Sequence, residues 1–154
     1  MENYKQYMKD AAKNIQIADH MIYVTLPIVN ENRLLLKIFE EIYKAIVSAI
    51  YSMMYYEHSL GRIRINGFNE IIENFFKIAR RNGLSNEQLK TIKEIIELRE
   101  WHVASASEFV RREKVVIMSD YLSVKSIDLK KIKEYLLAAK ELLLNVSKRL
   151  SVNA

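Results

Sequence analysis

Cysteine is absent from the chain. That excludes a disulfide framework and any Cys-ligated zinc or iron–sulfur site, and a cytoplasmic protein is the expectation. Glycine and proline are nearly as scarce, at 3 and 1 of 154 residues. With so few residues suited to tight turns, the chain is expected to form a few long elements joined by short loops, which points to helices. Three isolated glycines build neither a phosphate-binding loop nor a dinucleotide fingerprint, and no serine stands in a nucleophile elbow. The N-terminus lacks the basic segment and apolar core of a secretory signal. Long charge-free runs are missing too. The most apolar stretch, Ile42 to Tyr56, contains Lys44 and is followed by Glu57, which leaves it well short of the ~20 residues that span a bilayer. Neither membrane association nor a cofactor is expected.

Half of the residues are hydrophobic and 28% are charged, a composition that excludes a largely disordered chain. A chain of 154 residues is long enough to bury a core without staples, and residues 1–154 are expected to form one domain. Net charge is +5 and unevenly spread: residues 1–60 carry 6 basic and 7 acidic side chains, the remainder 18 and 12. A basic second half permits contact with nucleic acid or another polyanion, although a lysine-rich solvated surface has the same composition.

Helical periodicity dominates the pattern. Tyr4, Tyr7, Met8, Ala11, Ile15, Ala18 and Ile22 recur at steps of three and four, predicting a first helix from Tyr4 to Thr25 that Pro27 ends or redirects. The connection Pro27-Ile-Val-Asn-Glu-Asn follows, with Asn30 or Asn32 as the cap of a second helix running to Ser59. That helix starts amphipathic, then loses its polar side after Lys44, so it must be enclosed by other helices or covered by a second chain. A shorter third helix is predicted from Asn69 to Asn82, stopped by Gly83. Ser85-Asn-Glu-Gln88 reads as a capping box opening a fourth helix to Ala106, with Leu89, Ile92, Ile96, Arg99 and Val103 on one line.

Between Ser107 and Asp128 the periodicity changes. Lys114–Met118 and Tyr121–Lys125 are short and rich in β-branched or large residues, which predicts a small β-hairpin near 114–125 with its turn at Ser119-Asp120. Asp128 then caps a last helix in which Ile132, Leu136, Ala139, Leu143, Val146 and Leu150 form a bundle seam. Leu137, Leu142 and Leu144 widen its apolar face. The expected fold is all-α: an antiparallel helical bundle of four long helices plus one shorter helix, with the hairpin attached.

Candidate chemistry is thin. His20, His58 and His102 fall in three different helices. The residues three positions before them are Ile17, Tyr55 and Arg99, so the Glu-x-x-His pattern of bundle metal sites is absent. Glu94, Glu97 and Glu100 are interleaved with Lys90, Lys93 and Arg99, the pattern of a solvated, ion-paired helix face. No catalytic, cofactor-binding or metal residue is assigned. Two surface candidates remain. Met53, Met54, Tyr55 and Tyr56 close the apolar second helix with residue types enriched at interfaces. Arg111, Arg112 and Lys114, together with Lys130, Lys131 and Lys133, flank the hairpin and would form a basic patch if brought together. Tyr121 is the aromatic between them.

The run Arg33-Leu-Leu-Leu-Lys-Ile-Phe-Glu-Glu-Ile-Tyr-Lys-Ala-Ile, with Phe109-Val-Arg-Arg-Glu-Lys-Val-Val-Ile-Met, resembles uncharacterised archaeal all-helical proteins, a likeness that brings no activity. An aromatic-rich second helix in a five-helix chain is also similar to HEPN-type domains, some of which are RNases or partners of nucleotidyltransferases. Their catalytic motif is an Arg followed four to six residues later by His. Arg99-Glu-Trp-His102 is shorter, which puts that activity in doubt here. The leading expectation is a non-enzymatic interaction protein, a homodimer or the partner of another protein. A nucleic-acid-associated protein using the basic half stands second, and a HEPN-like RNase with a non-standard motif third.

Overall fold

Helix α3, Leu34–Ser59, is the axis around which the other elements are arranged. The structure is a computed structural model that describes residues 3–104, 107–111, 113–118 and 124–152. In chain order it contains α1 (Asn3–His20), a π-helical turn (Met21–Thr25), α2 (Leu26–Val29), α3, α4 (Phe68–Ala79) and a 3-10 turn (Arg80–Asn82). Then come α5 (Asn86–Ala104), strands β1 (Ser107–Arg111), β2 (Lys114–Met118) and β3 (Val124–Ile127), and α6 (Leu129–Val152).

The four long helices α1, α3, α5 and α6 form an up-down-up-down bundle, and the fold is all-α with a small antiparallel sheet. Side-chain pairs fix the directions. Tyr4 meets Tyr56 and Asn14 donates to Glu41, so α1 and α3 are antiparallel. Gln88 donates to Glu141 and Lys131 faces Glu94, so α5 and α6 are antiparallel. Phe39 lies against Tyr135 with ring centroids 6.1 Å apart while Arg149 reaches Glu57, so α3 and α6 run parallel across the short diagonal. That diagonal is the core. Ile38, Phe39, Ile42, Ile46 and Ile50 of α3 and Ile132, Tyr135, Leu136, Leu142 and Val146 of α6 are all buried. Each large apolar side chain fully removed from water there contributes about 1.5–3 kcal/mol.

Several local expectations hold. Gly83 takes φ 93, the left-handed conformation that stops α4 and its 3-10 turn. The Ser85 Oγ accepts the Gln88 N–H at 3.1 Å while Gln88 Oε1 accepts the Ser85 N–H at 2.8 Å, a closed capping box. Asp128 Oδ1 accepts the Lys131 N–H at 2.8 Å, and Ile127 and Ile132 are both buried beside it as a staple.

Three expectations are corrected. Pro27 does not end the first helix. The π-helical turn at Met21–Thr25 widens the backbone just before the proline, and helical structure continues to Val29, where Asn30 at φ 52 closes it. Asn30 is thus a C-terminal cap, and the residue at the N-cap of α3 is Arg33, whose own side chain makes no cap bond. On α5 the buried face holds the expected Leu89, Ile92 and Ile96 together with Ile95 and Leu98, and Val103 is left exposed. The hairpin is part of something larger. β2 pairs with β3 as expected, and β1 adds a third antiparallel strand on the other side, in the order β1-β2-β3. The Ser119-Asp120 turn lies outside the described residues. Val115 and Ile117 point to one face of β2 and join the main core, Val116 is buried on the other face, and contact of β2 with α5 supplies the support an isolated hairpin lacks.

Candidate functional site

The expected contact end of α3 is not a surface. Met53 and Met54 are 0% exposed and Tyr56 is 4% exposed. The reason is the first turn of α1, which folds over this end. Tyr4 stacks edge-on against Tyr56 at 5.3 Å, and the buried Ser52 Oγ donates to the Tyr4 carbonyl at 2.6 Å. Only Tyr55 of the four keeps partial solvent contact, in a cluster with Tyr7 and Tyr51 at ring distances of 5.2 and 6.1 Å. Partial burial first, and the neighbouring phenols second, push the Tyr7 and Tyr51 hydroxyls above their ordinary range.

Exposed apolar surface lies elsewhere. Tyr23, Val24, Pro27, Ile28 and Val29 all face solvent at the end of the first helical arm, with Ile28 78% exposed. The Lys133 ammonium of α6 stands over the Tyr23 ring at 5.4 Å. On α6, Leu129, Leu137 and Leu144 are exposed along the same helix face as Lys133, at steps of four and seven. Lys140 on that face reaches Asp19 of α1 at 2.8 Å. An apolar ridge interleaved with lysines thus follows the α1–α6 side of the bundle.

The basic candidates are split by the fold. Arg111 and Lys114 are register partners across β1 and β2, and Lys114 and Lys130 line one cleft with Glu113, Asp128 and Leu129. The two sequence clusters therefore do meet at one end. Arg112 and Tyr121 lie outside the described residues. Lys131 turns to the α5 side, 3.9 Å from Glu94, where Lys125 stands over the Trp101 ring at 5.0 Å. Lys133 belongs to the apolar ridge on the α1 side.

Two polar clusters were not visible as units in the sequence. Glu57, 3% exposed, is gripped from both sides. Arg149 of α6 bonds one carboxylate oxygen through Nε at 2.8 Å and through Nη2, and Arg62 Nη1 approaches the other at 3.2 Å. The second cluster joins α5 to α3. Arg99 Nε lies 2.6 Å from Glu40 Oε1 as an ion pair whose N–H is not aligned for a hydrogen bond, and its guanidinium covers the Tyr43 ring at 4.9 Å. The His102 ring sits between Glu40, 3.6 Å from Nε2, and the Glu108 carboxylate of β1 at Nδ1. Arg99 and His102 are turned onto carboxylates of neighbouring elements, an arrangement that ties α5 and the sheet to α3. Among the described residues no group of three or more His, Asp or Glu side chains is placed to hold a metal ion. No helix among them is long and apolar enough to cross a membrane.

Sequence reasoning passed over the exposed ridge because Pro27-Ile-Val was read as a connection and Tyr23 was not assigned to a face. It passed over Glu57 because its partners are 5 and 92 positions away in the chain. The adjacent Glu57-His58 pair gave no hint of a shared site. No family model matches the chain, and no curated protein does either.

Proposed function

We propose that this protein is a non-enzymatic interaction protein that self-associates through the apolar ridge of its first helical arm and α6. One observation carries the reading: Tyr23, Val24, Ile28 and Val29, four large apolar side chains within seven positions, are 44–78% exposed. Monomeric proteins scatter exposed apolar residues singly, and a contiguous group marks a contact surface. The exposed Leu137 and Leu144 of α6 extend the patch along the bundle. A two-fold pair of identical chains would set ridge against ridge, which suits a convex patch with lysines between the apolar side chains. The expected result of Ile28→Asp, a change at a solvent-facing position, is a monomer by light scattering with the unfolding midpoint of the parent. An unchanged molar mass in a dimeric parent would remove this ridge from consideration, as would a monomeric parent.

A second reading, nucleic-acid association, is favoured by the shared cleft of Lys114 and Lys130 beside Arg111. It predicts retention on RNA that falls steeply with salt and is weakened by Lys114→Ala with Lys130→Ala. Equal retention of the double variant would sink it. A HEPN-like RNase ranks below both, since Arg99 and His102 are three positions apart and both are engaged with Glu40.

A further inference from the structure

A different cleft carries an inference independent of the ridge. It lies between α5, β3 and the first turns of α6, has a volume of about 350 Å3, and is lined by Glu94, Leu98, Lys125, Ser126, Lys131 and Tyr135. That size is within the ~300–1,000 Å3 of small-ligand sites. Tyr135, 1% exposed, is the most buried part of the cleft's lining, and its hydroxyl faces Glu94 without a well-formed hydrogen bond among the described residues. Burial, and then the facing Glu94 charge, hold this phenol protonated well above its ordinary range, so the hydroxyl is a fixed donor.

Two cations stand above it. Lys131 is only loosely paired with Glu94, at 3.9 Å. Lys125 lines the cleft and its ammonium also lies 5.0 Å from the centre of the Trp101 ring, an indole that neighbours the cleft through this lysine and is not part of its lining. The set combines two ammonium groups, the Ser126 and Tyr135 hydroxyls, one carboxylate, an apolar floor at Leu98 and a flat aromatic ring. Bare anions gain nothing from the ring and are repelled by Glu94. A ligand with a phosphate, sugar hydroxyls and a planar base uses every group.

We propose that this cleft binds a nucleoside phosphate. The phosphate lies between Lys125 and Lys131 with hydroxyl donors from Ser126 and Tyr135, Glu94 accepts from the ribose hydroxyls, and the base stacks on Trp101. The source is either a free nucleotide or one unit of a single strand, and the two share this chemistry.

Trp101 is the protein's one tryptophan, and Lys125 of the cleft stands over its ring, so all tryptophan fluorescence comes from beside the cleft. Adenosine monophosphate, inorganic phosphate and a short single-stranded oligonucleotide are titrated in turn. The expected result is a saturable fluorescence change with the mononucleotide, with inorganic phosphate weaker by about tenfold or more. Calorimetry should show that Lys125→Ala and Lys131→Ala each weaken the mononucleotide by about tenfold, the scale of a lost charge-assisted contact. Tyr135→Phe, which keeps the ring and removes the donor, should weaken it by a smaller factor at an unchanged unfolding midpoint. Tighter binding of the oligonucleotide, lost in the same lysine variants, identifies the source as a strand and supports the site. No saturable change at millimolar mononucleotide would overturn the proposal. So would unaltered affinity in the double lysine variant, or equal affinity for inorganic phosphate.

Discussion

Met54→Asp is expected to unfold the domain rather than to release a soluble monomer. Met54 is completely buried on α3, and the end of the helix on which it lies is covered by α1. A carboxylate there must either be buried charged or be protonated at a cost, and it has lost the packing of a long apolar side chain. Substitutions of this kind cost more than ~4 kcal/mol, against a total stability of about 5–15 kcal/mol for a domain. Circular dichroism should show lost helicity or a urea midpoint moved far down. Met54→Leu, which conserves volume, should cost less than ~1.5 kcal/mol. A fully helical Met54→Asp protein with the parent midpoint would mean that this position faces solvent or a second chain.

The second large effect belongs to Glu57. Its carboxylate joins α3 to α6 through Arg149 and to the following loop through Arg62. Removing it leaves the Arg149 guanidinium, four-fifths buried, facing a gap. Loss of one partner of a largely buried pair costs about 3 kcal/mol. For a chain of 154 residues that is a fall of roughly 10 °C in the unfolding midpoint. Arg62→Ala should cost much less, because that side chain is half exposed and its pair is screened. The double variant Glu57→Ala with Arg149→Ala should recover part of the loss, since the largely buried guanidinium is removed together with its carboxylate. Calorimetric unfolding of the three variants decides it. Equal losses for Glu57→Ala and Arg62→Ala would show that burial of the carboxylate is not what gives the pair its weight.

Local chemistry explains why most of the fold was legible in the sequence. Ser85 with Gln88, Asp128 with the Lys131 amide, and Gly83 each mark a helix end through contacts within three residues or through a single backbone angle. Helix α3 loses its polar side after Lys44, which is why it was recognised as central. Features that depend on what folds back were not legible. The end at Met53 to Tyr56 looked open because nothing near it in sequence covers it. Its cover is Tyr4, 52 positions earlier in the numbering. The same holds for the candidate surfaces. Lys114 and Lys130 share a cleft because β2 comes beside the start of α6, and Trp101 of α5 meets Lys125 because β3 comes beside α5. Strand β1 was missed because its pairing with β2, not its own composition, makes it a strand.

The π-helical turn before Pro27 has a geometric consequence. Ala18, Ile22 and Leu26 point inward at steps of four. In an α-helix each such step overshoots a full revolution by about 40°, so the third residue would drift off the core line. The wider π turn absorbs that excess like a vernier adjustment, and Leu26 stays on the line. The next position on the same line is Asn30, where the chain turns away. Pro27, Ile28 and Val29 therefore follow the last inward position, Leu26, and all of them lie outside the core. The exposure of this apolar knuckle is thus written in the backbone phase: one residue fewer in the turn would rotate everything beyond it by about 100°.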